Sequence, residues 1–212
     1  ELKQYEEVAK VLETLVSHFP KKVYFLQLSG AYAELGLDKR SLPTLEIAHL
    51  QGLLDRESEL VNLAQSYLYH GLPYQAAGVL AKGFEDGIIT DGKENWKLLG
   101  DSWLNAREYE QALVPLERAA ALSGDGNLFV QVAQVHLERD EPKAALEALR
   151  KALNKGGLDN PGNAYLLLGI TLAGNRDFGA AREAFNKSAS FEKSREAAQK
   201  WMQHVERQEA AQ

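Results

Sequence analysis

Residues 93–126 read KENWKLLGDSWLNAREYEQALVPLERAAALSGDG. Two helical stripes lie in this stretch, broken at Asn105–Glu108. In the first, Trp96, Leu99, Gly100 and Trp103 stand at i, i+3, i+4 and i+7, one face of a 3.6-residue helix. In the second, Tyr109, Ala112, Leu116 and Ala119 follow the same rule. Gly100 and Ala112 are the small members of the two stripes. A small residue on each helix lets two backbones approach closely, and the large neighbours interdigitate around them. The stretch therefore predicts a hairpin of two helices packed on each other.

The pattern recurs. The small residue of the first helix reappears as Ser29, Ala64, Gly100, Ala133 and Gly169, at steps of 35, 36, 33 and 36 residues. Three residues further on stand Tyr32, Tyr67, Trp103, His136 and Leu172. The second helices carry Ser41, Ala76, Ala112, Ala145 and Ala181 at their small site. Leu45, Leu80, Leu116, Leu149 and Phe185 follow four residues later, and Ala48, Gly83, Ala119, Ala152 and Ser188 close the stripe. The columns resemble the tetratricopeptide repeat: large-x2-Leu-Gly-x2-aromatic, then small-x3-large-x2-Ala, in about 34 residues. The resemblance implies an all-α fold, a TPR solenoid of antiparallel helix hairpins in a right-handed superhelix. The handedness comes from the family and not from the spacing.

Residues 1–212 read as a single solenoid. Its repeats are 22–54, 57–90, 93–126, 126–159 and 162–192. A half repeat, 4–20, precedes them and a capping helix, 194–206, follows. In the half repeat, Tyr5, Val8, Leu12 and Leu15 supply the stripe. They match the second-helix columns, so a partner helix is expected before residue 1; a lone capping helix is the alternative. Ala197, Trp201 and Val205 are expected to cover the end of the stack, with Gln208–Gln212 fraying. Asp38 or Ser41 is expected to cap its helix, with Pro43 near the start, where a missing N–H costs little. Pro115 falls two turns into its helix and predicts a bend. Gly52, Gly87 and Gly156 are each expected to end a helix in the left-handed conformation, with the apolar residues after them folding back.

Composition narrows the function. The net charge is −6 and no basic run stands out, which argues against nucleic acid. No apolar run approaches the ~18 residues of a membrane span. With no cysteine there is no disulfide, thiolate zinc site or thiol nucleophile. The histidines, His18, His49, His70, His136 and His204, have no metal-binding spacing. His136 stands in the aromatic column and is expected to be buried or half-buried. No carboxylate pair, serine triad or phosphate loop is marked out. Ser123-Gly124-Asp125-Gly126 reads as a turn, and Asn186-Lys187-Ser188 falls within a predicted helix. The chain is expected to be no enzyme and to hold no cofactor or metal.

What remains is surface. In the family, first helices line a concave groove that takes ligands. Carried over by column, the groove comprises Leu26, Gly30 and Ala33, then Val61, Gln65, Leu68 and Tyr69. Lys97, Asp101, Leu104 and Asn105 follow, then Val130, Gln134, Leu137 and Glu138, and lastly Leu166, Ile170 and Ala173. This strip is apolar, with amides and few charges. It fits a helix or extended peptide of a protein partner. Satisfaction by curvature, by a neighbouring helix or by self-association is the alternative. The carboxylate clamp of some family members needs several cations here, and only Lys97 is present.

A narrower resemblance rests on ESELVNLAQSYLYHGLPYQAAGVLAKGFEDGIITD (57–91) and NKGGLDNPGNAYLLLGI (154–170). These runs look like tetratricopeptide proteins encoded beside ExbB–ExbD–TonB genes in gamma-proteobacteria. That implies a periplasmic scaffold in TonB-dependent uptake of iron compounds, with TonB, ExbB or ExbD as partner. A general bacterial repeat adaptor, in envelope assembly or in the cytoplasm, is the alternative.

Overall fold

The computed structural model describes residues 2–210, and these are helical with no strand among them. The helices are α1 (Leu2–His18), α2 (Lys22–Glu34), α3 (Asp38–Leu50), α4 (Glu57–Tyr69), α5 (Pro73–Glu85) and α6 (Lys93–Asn105). After them come α7 (Tyr109–Leu122), α8 (Asn127–Glu138), α9 (Pro142–Lys155), α10 (Pro161–Gly174), α11 (Phe178–Ala189) and α12 (Arg195–Ala210). Two compact units divide the chain, Glu1–Asp91 and Gly92–Gln212. In the first, α2 pairs with α3 and α4 with α5, and α1 packs on α2. In the second, the pairs are α6–α7, α8–α9 and α10–α11, with α12 packed on α11.

The five hairpins turn in one way. The residue seven after each small first-helix site lies at positive φ: Gly36 (67°), Gly71 (71°), Arg107 (60°), Asp140 (58°) and Arg176 (61°). Its N–H donates three residues back, and the next N–H donates five residues back. Gly71 N reaches Leu68 O at 3.0 Å and Leu72 N reaches Tyr67 O at 2.8 Å; Arg107 N–Leu104 O and Glu108 N–Trp103 O are both 2.9 Å. The last carbonyls of each first helix are satisfied by this pair of bonds.

The small columns do their work by different means. A Cβ at Gly100 would stand 2.6 Å from Leu116 Cγ and Cδ2, and one at Gly169 would stand 2.5 Å from Phe185 Cε1. Leu116 and Phe185 are fully buried, so neither site has room for a side chain. At the matching site of the first unit, the buried Ser29 and Ser41 face each other with Oγ atoms 2.9 Å apart. Each hydroxyl also reaches the other's carbonyl, at 3.1 and 3.0 Å. The hydroxyls that the close approach buries are thereby paired.

Several local expectations are corrected. Asp38 does not cap α3; it is the first helical residue, and Ser41 lies inside the helix. Pro43 is the sixth residue of α3, so the Lys39 carbonyl loses its backbone partner. Pro115 is buried inside α7, so the Gln111 carbonyl loses its backbone partner there. Gly156 has φ 72° and ψ −161°, a mirror-extended conformation and not the helix-terminating one; its carbonyl accepts from Gly126 N at 2.8 Å. Gly126 has no room there for a Cβ, which would meet Ala152 O at 2.2 Å. In α12 the fully buried residues are Ala198 and Val205, with Ala197 and Trp201 half-buried. That helix continues through Gln208 to Ala210; Ala211 and Gln212 lie outside the described residues.

The stripe of α1 is also shifted. Ala9 and Leu12 are buried against α2, with Leu15 and Val16 half-buried. Tyr5, Val8 and Val11 are 38%, 46% and 61% exposed. The column that Val8 occupies is Ser41, Ala76, Ala112, Ala145 and Ala181 in the hairpins, and all five are buried. In the hairpins that column packs against the first helix of the pair; among the described residues α1 packs on α2.

Candidate functional site

Where α2 and α4 part, α3 forms the floor of a concave cleft of about 550 Å³. From α2 it takes Leu26, Gly30 and Ala33. Asp38, Ser41 and Leu45 come from α3, and Ser58, Asn62, Ser66, Tyr69 and His70 from α4 and its end. Tyr69 is 78% exposed, unusual for a large aromatic ring. His70 is held by the bond between its Nδ1 and the Ser66 carbonyl, 2.7 Å apart. A carbonyl only accepts, so Nδ1 carries the hydrogen and Nε2 of the neutral ring is an acceptor. Nε2 is buried with no partner.

The walls are braced by charge. Lys22 forms ion pairs with Asp55 and with Glu59, the latter at 3.1 Å. The Asp55 hydrogen bond raises the Lys22 pKa, and that bond lowers the Asp55 pKa. Glu59 in turn accepts the backbone N–H groups of Asp55 and Arg56 at 3.1 and 3.2 Å, closing the start of α4. Behind the cleft, Tyr32 donates to Glu13 of α1 at 2.7 Å, and Arg40 pairs with the same carboxylate at 2.9 Å. Burial, then the Glu13 bond, pushes the Tyr32 phenol up to about 12. Tyr67 is raised for the same reasons, with Glu46 of α3 as its partner. These tyrosine–glutamate bonds tie α1 to α2 and α3 to α4.

Leu26 and Tyr69 are thus in the cleft, together with Gly30 and Ala33. Val61, Gln65 and Leu68 lie on another side of α4; Gln65 is exposed and the other two are half-buried. In the second unit, Lys97 pairs with Asp101, and Gln131 donates to the other Asp101 oxygen at 2.8 Å. Leu104 and Leu137 are half-buried against the core of α7–α9, and Leu166 and Ile170 against that of α10–α12. Val130 is half-buried, while Asn105, Gln134 and Glu138 are exposed. Much of the apolar strip is therefore engaged within its own unit. His136 is half-buried, with Nδ1 2.8 Å from Glu141. No group of His, Asp and Glu among the described residues could hold a metal. Among the described residues no helix is long and apolar enough to cross a membrane.

Sequence reasoning missed Ser58, Asn62, Ser66 and His70. Ser58, Asn62 and Ser66 recur every fourth residue, a signal of one helix face. His70 read as a plain turn residue.

No protein-family model matches the chain, and no curated protein matches its sequence. Solved structures do match. YrrB, described as a TPR protein with an unusual peptide-binding site, is 14% identical; the match covers 92% of this chain and 99% of that one, with a TM-score of 0.64. MamA is 22% identical, with 77% and 93% covered and a TM-score of 0.59. The C-terminal part of a TPR repeat-containing protein from Cytophaga hutchinsonii is 15% identical, with 88% and 74% covered and a TM-score of 0.59. At these identities the likeness shows the fold: this chain is a tetratricopeptide-type solenoid.

Proposed function

We propose that this chain is a non-catalytic scaffold that holds a protein or peptide segment in the α2–α4 cleft. The observation that carries the proposal is the α2–α4 cleft itself, where the exposed Tyr69 ring and Leu26 stand beside a polar lining. An extended peptide offers apolar side chains to Tyr69 and Leu26 and backbone N–H donors to the polar lining. Asp38, Ser58, Asn62 and Ser66 add oxygen acceptors, and the lining holds no lysine or arginine. Residues 1–91 have eight Lys and Arg against thirteen Asp and Glu, a net −5, so the unit favours donor-rich partners. The peptide-binding description of YrrB is consistent with this use of the fold.

The likeness of residues 57–91 and 154–170 to TonB-associated repeat proteins supports a finer reading. In it the scaffold is periplasmic and the partner is a TonB, ExbB or ExbD segment. The general adaptor, in the envelope or the cytoplasm, is the competing assignment. Capture from envelope and cytosolic extracts separates them. Wild type is expected to retain a TonB-system protein, and Tyr69→Ala or Asn62→Arg to retain at least tenfold less. Both positions are exposed, so the fold should tolerate the changes. Equal retention by both variants would remove the cleft as the site. Retention of cytosolic proteins alone would remove the TonB assignment.

A further inference from the structure

At the other end of the chain, α10 and α12 part over α11 in a cleft of about 440 Å³. Ile170 of α10, the buried Phe178 of α11 and the half-buried Trp201 of α12 give it an apolar floor. The Trp201 ring is fixed: it stacks on Phe185 at 6.3 Å and 14°, and meets His204 edge-on at 5.5 Å and 88°. Arg176, His204 and Gln208 form the rim, and no carboxylate lines the cleft. The neighbouring acid, Asp177, is turned away and accepts from Ala180 N at 3.2 Å. Nearby cations are already used, Arg182 by Glu209 and Lys200 by Glu196. The Arg176 side chain has no ion pair or hydrogen bond among the described residues, and its backbone is held at φ 61° by the hairpin turn, its N–H donating to Ala173 O at 2.9 Å.

We infer that this cleft is a second binding site, for an acidic and apolar peptide segment. An aromatic or aliphatic side chain lies on the Trp201–Phe178 floor, and an adjacent aspartate or glutamate pairs with Arg176. The rim cation supplies the charge preference, because a guanidinium pairs with a carboxylate through two parallel hydrogen bonds. His204 adds a ring N–H and Gln208 an amide N–H. The preference is opposite to that of the α2–α4 cleft, which offers acceptors and no Lys or Arg.

The backbone at Arg176 makes a clean test possible. Arg176→Gly removes the guanidinium and at the same time installs the residue that positive φ favours, so lost binding cannot be blamed on unfolding. The probes are fluorescein-labelled heptapeptides with a central phenylalanine or leucine, flanked by glutamate, glutamine or lysine. Their anisotropy is read against the full chain, Arg176→Gly and Tyr69→Ala. The glutamate peptides are expected to bind at least tenfold tighter than the other two sets. Arg176→Gly should erase that advantage, Tyr69→Ala should leave it, and rising salt should weaken it. An advantage that survives Arg176→Gly, no advantage for glutamate, or no binding by any peptide would each overturn the inference. The α2–α4 proposal would stand in all three cases, because its test uses Tyr69 and Asn62.

Discussion

The two units follow one hairpin path with different placement of glycine. In residues 1–91 both hairpin turns and both turns that end α3 and α5 use glycine: Gly36, Gly71, Gly52 and Gly87 all lie at positive φ. Their small first-helix sites are Ser29 and Ala64. In residues 92–212 glycine stands at two of the small first-helix sites, Gly100 and Gly169, and the hairpin turns place Arg107, Asp140 and Arg176 at positive φ instead; Gly156 and Gly157 keep positive φ after α9. The second arrangement gains close helix contact and carries a backbone cost of about 1–2 kcal/mol at each non-glycine turn. The same turn hydrogen bonds form in both units, whether glycine or another residue stands at the turn.

The largest effect should come from the shared small column. Ala112→Glu places a charge among fully buried residues and should cost on the order of 4 kcal/mol. Val8→Asp, in the same column of α1, should cost under about 0.5 kcal/mol, since Val8 is 46% exposed. Denaturant melts of both variants check this. Equal losses would mean that the Val8 face of α1 is covered in solution.

Alkaline pH should separate the units next. The Tyr32 phenol is raised from 10 to about 12, so the folded state holds its proton more tightly than the unfolded chain does. That contribution is complete below about pH 10 and is lost as pH rises through about 12. Stability should fall on the order of 2–3 kcal/mol over that range, and Tyr32→Phe should flatten the fall. An unchanged slope in the variant would show that neither the burial of Tyr32 nor its Glu13 bond persists in solution.

Glycine-to-alanine changes should differ in sign. Gly169→Ala drives a methyl into the Phe185 ring and should cost about 1–3 kcal/mol. Gly78→Ala, on α5 with nothing within 4 Å, should stabilise by about 0.5–1 kcal/mol through helix propensity. Thermal melts give both. The smallest effect is at the turns. Arg107→Gly and Asp140→Gly should each stabilise by up to about 1 kcal/mol, and Gly71→Ala should cost a similar amount. A loss on Arg107→Gly would show that its side chain has a role the backbone geometry does not reveal.

The repeat columns were legible because packing imposes them on every unit: Leu63, Leu80, Leu116 and Leu149 are buried as their periodicity requires. Gly36 and Gly71 marked their turns. Arg107, Asp140 and Arg176 did not, because no local property of Arg or Asp announces positive φ; only their fixed spacing from the small site does. The cleft was half legible. Leu26 and Tyr69 were found, but Asn62 and Ser66 face α2 only through the rotation of one hairpin on the next, which a single repeat does not encode. Trp201 read as a cover for the core. In the structure one side of its ring stacks on Phe185, and the residue also lines the cleft beside Arg176.

Site-specific photocrosslinking in cells tests the central claim most directly. A benzophenone amino acid at Asn62 stands in the α2–α4 cleft, and one at Gly78 stands on the open side of α5. A cleft that holds a protein segment predicts a discrete adduct at position 62, suppressed by Tyr69→Ala, and none at position 78. An adduct at position 78 with none at 62 would contradict the claim and move the binding surface to the second helices.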